Sequence, residues 1–459
     1  MTLLVINWPQ VGLQVAYLLF SLSILVILHE FGHFITAKWF KCRVEKFYLF
    51  FDPWFSLVKK KIGDTIYGIG WLPLGGYVKI SGMVDESMDK EQLKQPPQPW
   101  EFRSKPAWQR LIIMLGGVTM NVLFAFFLYA MILYKWGDTK LPMANVKDGI
   151  WITDSIMYKV GLKNGDKIVA VDDKPIKYFE DATLKIILGD KITVLRGGKE
   201  QILYKPVDLV GQLSEKKGKR SFLLMPRIPA IIGSLDDTNS KSIKAAGIRP
   251  FDKIVAIDSM PVDYFDEVAP IIQNDKGDSV TLTILRNNKT FQTRTLVDTS
   301  GKLGFYTLTL DQADSLGILK QTTAHYGFFE SFPAGIAKTG EKLDSYVQQF
   351  KQILNPQTGA IKGLGGFKTM ASIFPNTGWD WEAFWNITAF FSIILAFMNL
   401  LPIPALDGGH VLFTLIEMIS GRKPSDKFLE YAQIAGMVIL FALMLFANGN
   451  DWFGWGKGH

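Results

Sequence analysis

Long apolar segments alternate with polar stretches along the chain. Four apolar segments, at about residues 11–37, 108–134, 384–401 and 431–447, are long enough to cross a bilayer, which takes roughly 20 residues per helix. The stretch between the second and third contains short apolar runs bounded by glycine and proline, a pattern typical of strands and turns. The pattern predicts a polytopic α-helical membrane protein with four transmembrane helices and a large aqueous portion.

Basic side chains predict the orientation of these helices. The chain has a formal net charge of +7, and its basic residues cluster in segment 38–61 and around Arg422, Lys423 and Lys427. Short loops rich in lysine and arginine stay in the cytoplasm. We therefore expect both loops to be cytoplasmic, both termini to lie outside, and residues 137–380 to be extracytoplasmic.

The first cytoplasmic loop predicts a membrane-associated β-hairpin. Residues 47–55 and 65–81 alternate aromatic or β-branched residues with glycines, and Pro73, Gly75 and Gly76 would bend the second strand. Strand-like backbone at membrane depth persists only when it is buried in protein or lines a wet cavity. A hairpin that returns toward the membrane would supply a cavity wall, and an ordinary cytoplasmic hairpin is the alternative.

The extracytoplasmic portion contains an internal repeat. GLKNGDKIVAVDDKPIKYFE, from Gly161, aligns without a gap to GIRPFDKIVAIDSMPVDYFD, from Gly247, and ten of the twenty positions are identical. Each copy resembles the second half of a PDZ domain, so we predict two tandem PDZ-like, mainly β, modules at 144–206 and 229–297. Such modules bind peptides by adding a strand to a sheet edge. Spacers that bind no ligand are the alternative.

An amphipathic helix is predicted after the repeat. Apolar residues recur near helical spacing, with lysine and glutamate between them, at Phe328, Phe332, Ile336, Leu343, Val347, Phe350 and Leu354. A glycine-rich join, GLGGFKTM, leads toward the third span. The helix would either pack on the PDZ-like pair or lie on the outer membrane surface.

Candidate chemistry begins in the first apolar segment, which contains SLSILVILHEFGHFITA. Its only acidic or basic side chains are His29, Glu30 and His33. Two histidines four residues apart share one helix face and can reach one metal ion, and the glutamate between them is placed to act on a metal-bound water. Ionisable groups in a span are costly enough to indicate function. This predicts a zinc protease with its metal in the bilayer, and a soluble helix is the alternative.

The third apolar segment carries a second polar group, in FMNLLPIPALDGGHVLF. Asn399, Pro402, Pro404 and Asp407 interrupt an otherwise apolar helix. Two histidines and one carboxylate make the three protein ligands of a catalytic zinc, which leaves a fourth position open. Asp407 completes that set, and His410 is a rival ligand.

The predicted segments follow from these patterns. We assign them as first transmembrane helix 1–37, cytoplasmic loop with re-entrant hairpin 38–107, second helix 108–134, PDZ-like modules 144–206 and 229–297, amphipathic helix and join 317–380, third helix 381–410, and fourth helix 425–448.

Composition removes some functions and leaves others open. Hydrophobic residues make up 48% of 459, and Cys42 is the single cysteine, so no intrachain disulfide can form. No basic run interleaved with aromatics indicates nucleic-acid binding. MTLLVINWPQ lacks a basic signal-peptide region, so we expect the first apolar segment to be retained. A membrane ion or metal transporter and a catalytically silent PDZ adaptor remain alternatives to the protease.

Taken together, the motifs resemble one family. HEFGH in a first span, GGYVKISG in a hairpin, FRSKPAWQRLIIMLGGVTMN at the second span and NLLPIPALDGG in a third span are similar to the site-2 protease family of intramembrane zinc metalloproteases, peptidase family M50. The resemblance implies that His29, His33 and Asp407 ligate Zn²⁺ and that Glu30 is the general base. It also implies that substrate contacts come from Asn399, Gly75, Gly76, Tyr77, Val78 and Lys79.

The resemblance also implies a biological setting. Substrates would be single-span membrane proteins, such as an anti-sigma factor after a first cut or a remnant signal peptide, in regulated intramembrane proteolysis during a stress response. The protein would be multi-pass in the lipid bilayer of the bacterial inner membrane, with its active site toward the cytoplasm. Its PDZ-like modules would lie outside, where they exclude untrimmed substrates or read a new C-terminus.

Overall fold

The computed structural model describes residues 7–83, 96–215, 222–236 and 240–456. The predicted segment 1–37 therefore begins outside the described residues, and part of 38–107 lies outside them. The chain forms two compact units. The first comprises Met1–Gly137, His325–Lys351 and Leu364–His459, and the second comprises Asp138–Ala324 and Gln352–Gly363.

The α-helices of the described residues are, in chain order, α1 (Trp8–Trp39), α2 (Ala107–Lys135), α3 (Phe179–Leu188), α4 (Leu209–Glu215), α5 (Lys241–Ala245), α6 (Val268–Ile272), α7 (Leu310–Ser315), α8 (Phe328–Leu354), α9 (Phe367–Ser372), α10 (Trp381–Leu400), α11 (Asp407–Ser420) and α12 (Asp426–Phe453).

The strands are β1 (Val44–Phe51), β2 (Val58–Ile62), β3 (Thr65–Ile69), β4 (Leu72–Ile80), β5 (Asp138–Lys140), β6 (Ile150–Ile152), β7 (Lys167–Val171), β8 (Lys174–Pro175), β9 (Lys191–Arg196), β10 (Lys199–Tyr204), β11 (Leu224–Pro226), β12 (Ile232–Leu235), β13 (Lys253–Ile257), β14 (Met260–Pro261), β15 (Ser279–Arg286), β16 (Lys289–Leu296), β17 (Phe305–Thr307) and β18 (Thr322–Ala324).

Four helices of the described chain, α1, α2, α10 and α12, are long and apolar enough to cross a membrane. With the strands, they confirm the predicted membrane protein with four apolar helices and β structure. Helices α1 and α2 touch through glycines, because a Cβ added at Gly32 would lie 2.2 Å from the carbonyl oxygen of Gly116. Small residues at a helix crossing let two backbones approach closely. Helix α2 therefore lies directly against the helix that carries the two histidines.

The structure divides the predicted third segment, 381–410, at the interruption that the prolines predict. Helix α10 ends at Leu400 and α11 begins at Asp407, so residues 401–406 are not helical. Pro402 and Pro404 explain the break, because proline lacks a backbone N–H and its ring clashes with the preceding helical turn. The fourth helix is longer than the predicted 425–448 and continues to Phe453, where Gly454 ends it with a φ of +71°.

The predicted hairpin is instead a four-stranded sheet. Its strand order is β2-β3-β1-β4, so β3 and β4 do not pair with each other and β1 lies between them. Strand β1 is parallel to β3 and antiparallel to β4. The connection from β3 to β4 crosses the end of β1 at Gly70, where an added Cβ would lie 2.1 Å from the carbonyl oxygen of Phe51. Glycine is required there because the two backbones are in contact.

The second unit contains two four-stranded sheets of matching order, β10-β9-β7-β8 and β14-β13-β15-β16, each over its own apolar core. Strand β6 pairs with β11, and β12 pairs with β17. Strands β11 and β17 lie beyond the predicted ends at 206 and 297, because each follows a further loop or helix that the twenty-residue repeat does not include.

Each of the two repeats also contains an arginine paired with a buried aspartate. Arg196 holds Asp166 through its Nε and Nη2 at 2.6 and 2.7 Å and donates to the carbonyl oxygen of Gly161. Arg286 holds Asp252 in the same way, at 2.6 Å for both bonds, and donates to Gly247. Charge-assisted bidentate pairs of this kind fix a side chain in one geometry. The repeat therefore extends from sequence to side-chain contacts.

Residues 328–351 of helix α8 pack on the apolar helices of the first unit. A Cβ added at Gly335 would lie 2.6 Å from the backbone nitrogen of Ala130 in α2. Tyr346 and Phe350 make edge-on ring contacts with Phe397 of α10, at centroid distances of 5.4 and 5.2 Å. The predicted amphipathic helix is thus present, and its partners in this unit are two candidate spans.

Candidate metal centre

Helix α1 places His29 and His33 one turn apart on the face that meets α2. The helix is regular from Trp8 to Trp39, so the two imidazoles follow from its 3.6-residue period. Both side chains are buried, and their Nε2 atoms lie 3.3 Å apart. This half of the site is a local consequence of the sequence.

Asp407, the first residue of α11, brings a carboxylate to the same point. Its Oδ2 lies 3.1 Å from His29 Nε2 and 3.2 Å from His33 Nε2. These three residues are the group of potential metal ligands found among the described residues. The rival ligand predicted from the sequence, His410, is not part of it.

The three ligand atoms fit a zinc ion. In a tetrahedral site with bonds of about 2.0–2.1 Å, ligand atoms stand about 3.3 Å apart. The observed spacing of 3.1 to 3.3 Å agrees with that geometry. Three lone-pair-bearing atoms in a buried cluster would repel one another unless they shared a proton or a cation.

Residues of helix α2 contact the Nδ1 atoms of both imidazoles. The carbonyl oxygen of Ile113 lies 2.9 Å from His33 Nδ1, and the side-chain amide of Asn121 lies 3.1 Å from His29 Nδ1. Between them, a Cβ at Gly117 would lie 2.4 Å from His33 Nε2. Partners on the second ring nitrogen fix the orientation of a metal-binding histidine.

Sequence reasoning missed Gly117 and Asn121. Asn121 is fully buried inside the second apolar segment, and a polar residue at that depth is the signal that could have identified it. Gly117 carried no such signal, because its role depends on which helix packs against it.

Glu30 and strand β4 lie together beside the histidines. A Cβ added at Gly76 would lie 2.7 Å from Cγ1 of Val26 and 3.6 Å from Cγ of Glu30, so β4 passes directly over α1 at this level. The backbone amide of Val78 interacts with the Glu30 carboxylate. Glycine at position 76 therefore permits the close approach of the sheet to the glutamate.

The predicted substrate-contact residues line one large cavity. It has a volume of about 1070 Å³, and Glu30, Asn399 and Asp407 open onto it. The Nδ2 atom of Asn399 is 3.4 Å from His29 Nε2. Strand β4 forms another wall with Gly75, Gly76, Tyr77, Val78 and Lys79. The structure thus brings together every residue in the predicted site set.

Two side chains of β4 also contact other parts of the sheet. The hydroxyl of Tyr77 donates to Asp52 Oδ1 at 2.8 Å, and Lys79 pairs with Glu45 at 3.3 Å. Strand β4 pairs with β1 along one side, and no strand of the described residues pairs with its other side, which is therefore an edge. A sheet edge exposes unpaired N–H and C=O groups that can bind an added strand.

Comparisons with known proteins agree with this geometry. The sequence model of Peptidase family M50 matches residues 17–443. A protein of Treponema pallidum named as a zinc metalloprotease is 28% identical over 454 residues, covering 94% of this chain and 96% of that protein. The regulator of sigma-E protease RseP of Escherichia coli is 27% identical over 458 residues, covering 95% and 98%. A zinc metalloprotease of Vibrio cholerae, named in the same way as the Treponema protein, is 27% identical over 450 residues, covering 94% and 96%.

Proposed function

This chain belongs to peptidase family M50 and is a zinc metalloprotease of the intramembrane type, and from that premise we propose its catalytic residues and its substrates. His29, His33 and Asp407 hold the Zn²⁺, and Glu30 is the general base. The substrates are transmembrane segments of single-span proteins. Membership in a peptidase family favours this function over the transporter and the silent adaptor.

The single observation that carries the residue assignment is the spacing of the three ligand atoms. His29 Nε2, His33 Nε2 and Asp407 Oδ2 stand 3.1 to 3.3 Å apart beside Glu30, and the cluster opens onto the large cavity. Nothing in the local sequence requires residues 29 and 407 to meet. Their convergence supports a metal site better than it supports a structural ion pair, because a second histidine joins the same oxygen.

Each residue has a distinct task in peptide hydrolysis. Zinc held by His29, His33 and Asp407 would supply Lewis-acid chemistry, which polarises a peptide carbonyl and lowers the pKa of a water molecule to about 7. Glu30 accepts the proton of the attacking water and returns it to the leaving amine. Asn399 donates its Nδ2–H to a backbone carbonyl of the unwound substrate, near the reacting bond.

Strand β4 presents an edge to the substrate. A helical segment hides its carbonyl groups in hydrogen bonds, so cleavage requires that the segment unwinds and that its backbone groups find new partners. The β4 edge supplies them from Gly75 to Lys79, beside Glu30. Adding the substrate as a strand exposes one peptide bond to the catalytic residues.

The sheet is also suited to a membrane setting. In the loop between β1 and β2, Trp54, Phe55 and Leu57 are exposed, Trp54 at 91%, and Trp54 and Phe55 both stack on Trp71. Exposed aromatic rings at one end of a sheet suit contact with lipid. This supports a re-entrant sheet rather than an ordinary cytoplasmic one.

The proposal also covers the orientation of the protein in the membrane and the role of the second unit. The site faces the cytoplasmic side of a bacterial inner membrane, and the PDZ-like modules of the second unit lie outside. There they exclude untrimmed proteins by size or read a new C-terminus, so that anti-sigma-factor-like proteins are cut only after a first cleavage and remnant signal peptides are accepted. Basic loops beside the spans support this orientation.

Cleavage of a tagged single-span protein tests the proposal. Wild type, Glu30→Gln and the control Glu200→Gln, an exposed position of β10, are reconstituted in lipid, and the zinc content of each is measured. We expect Glu30→Gln to lose cleavage and keep zinc, because the amide cannot accept a proton, while the control behaves like wild type. Undiminished cleavage by Glu30→Gln, or absence of zinc from all three proteins, would falsify the assignment.

A further inference from the structure

One face of helix α2 carries three positions that meet the imidazoles. Ile113, Gly117 and Asn121 are four residues apart, so they lie above one another on the same side of the helix. The backbone carbonyl of Ile113 can only accept a hydrogen bond, and it lies 2.9 Å from His33 Nδ1. That contact places the proton of His33 on Nδ1 and leaves the lone pair of Nε2 directed at Asp407.

Asn121 occupies the corresponding place for His29. Its side chain is fully buried, and its Nδ2 lies 3.1 Å from His29 Nδ1. Its Oδ1 is also buried and has no hydrogen-bond partner among the described residues. A buried carboxamide oxygen without a partner costs free energy, so this oxygen requires an explanation.

The orientation of the amide decides which nitrogen of His29 carries the proton. With the amide nitrogen toward the ring, Nδ1 must accept, and the proton lies on Nε2, where it faces Asp407 Oδ2 at 3.1 Å. With the amide oxygen toward the ring, Nδ1–H donates to Oδ1, and the lone pair of Nε2 is free for a metal. The two ends of a carboxamide are nearly the same size, so a half-turn exchanges them in place.

The backbone around Asn121 is held independently of this contact. Its carbonyl oxygen accepts a hydrogen bond from the hydroxyl of Ser392 in α10 at 2.8 Å. Asn121 lies in the middle of the 29-residue helix α2, so its backbone keeps its position without this added bond. Ser392 offers a matched control, because its hydroxyl bonds the backbone of Asn121 and not the carboxamide.

We propose that Asn121 is a positioning residue for the metal centre. Its Oδ1 accepts a hydrogen bond from Nδ1 of His29, which orients the imidazole and directs the lone pair of Nε2 at the ion. The inference rests on the proposed ligand set. It adds that α2, which supplies no ligand, determines the geometry of both histidines through Ile113 and Asn121.

Zinc affinity measured by competition with a chelator tests this role in the full-length protein in detergent. The variants are Asn121→Leu, which keeps the size and removes the acceptor, and Asn121→Asp, which keeps the acceptor. Ser392→Ala is the control, and His29→Ala tests the ligand set itself. Cobalt substitution adds an absorption spectrum that reports the coordination of the ion directly.

We expect Asn121→Leu to bind zinc about 10- to 100-fold more weakly than wild type, the usual effect of removing a partner of a metal-binding histidine. Asn121→Asp should restore wild-type affinity and cobalt spectrum, and Ser392→Ala should match wild type. A general packing defect would not be rescued by aspartate. If Asn121→Leu does not fold, Asn121→Ser replaces it, since its hydroxyl is too short to reach the ring, and it should lose affinity equally.

Different results would overturn the positioning role of Asn121 and the assignment of the metal ligands. Wild-type affinity in Asn121→Leu or Asn121→Ser overturns the positioning role, and so does an Asn121→Asp protein that binds zinc as weakly as the leucine variant. Full zinc binding by His29→Ala overturns the ligand set instead.

Discussion

The two halves of the metal centre are built in opposite ways. Helix α1 carries His29 and His33 on 32 uninterrupted helical residues, so their alignment follows from helical periodicity. Asp407 instead follows a break between α10 and α11, in which residues 401–406 are not helical. One half is therefore local, and the other depends on how the chain folds back on itself.

Glycines make the broken half possible. A Cβ at Gly408 would lie 2.2 Å from the carbonyl oxygen of Leu401, and one at Gly409 would lie 2.6 Å from that of Ile403. Gly436 of α12 faces the same turn, with an added Cβ 2.7 Å from the carbonyl carbon of Pro404. One metal centre can therefore combine a regular helix with a tightly packed turn.

The largest effect is expected from removing a ligand from either half. His33→Ala and Asp407→Ala should both lose bound zinc and reduce cleavage by at least about 1,000-fold, because a residue essential to the catalytic unit typically costs that much or more. Zinc content and cleavage of a tagged substrate are the measurements, and chelation of wild type should reproduce both losses. A variant of one half that keeps its zinc would show that the halves are not equivalent.

A smaller effect on stability should distinguish the two halves, because they are packed to different degrees. Gly408→Ala forces a Cβ against the backbone of Leu401, so we expect a loss of roughly 1–3 kcal/mol of stability together with weaker zinc binding. The matched control is Gly12→Ala in α1, where nothing lies within 4 Å of the added Cβ, and which should be neutral or stabilise by up to about 1 kcal/mol. Thermal unfolding and zinc titration of both proteins provide the readout. Equal stability of the two variants would contradict the proposed difference.

The smallest effect is expected from a residue of the second unit. Lys205 is buried in the second unit and donates to the carbonyl oxygen of Ile187 at 2.8 Å, and burial lowers its pKa below the ordinary 10.5. Since the folded state binds its proton less tightly than the unfolded state, unfolding free energy should rise slightly with pH between the lowered pKa and 10.5.

Lys205→Met should remove this slight dependence while zinc content stays at the wild-type level. Denaturant unfolding at several alkaline pH values measures the slope. An unchanged slope in Lys205→Met would exclude Lys205 as its source, and a change in zinc content would show that the second unit influences the site.

Much of the site could be predicted from the sequence because its residues are unusual in their setting. His29, Glu30 and Asp407 are ionisable groups in apolar segments. The prolines before Asp407 predict the break between the two helices. The sequence did not reveal how the strands pair. The hairpin prediction for residues 65–81 failed because β1, from earlier in the chain, inserts between β3 and β4 at a crossing that only Gly70 permits.

By itself the sequence determined the four apolar helices, the repeat and the face that carries His29 and His33, since each depends on periodicity or identity within a short window. Only the tertiary structure decided that Asp407 meets a histidine 374 residues earlier, and that Asn121 and Gly117 of α2 lie against the imidazoles. The physical reason is that such contacts are set by helix packing. Packing depends on the shapes of whole surfaces, and these are formed by residues that the chain brings together only when it folds.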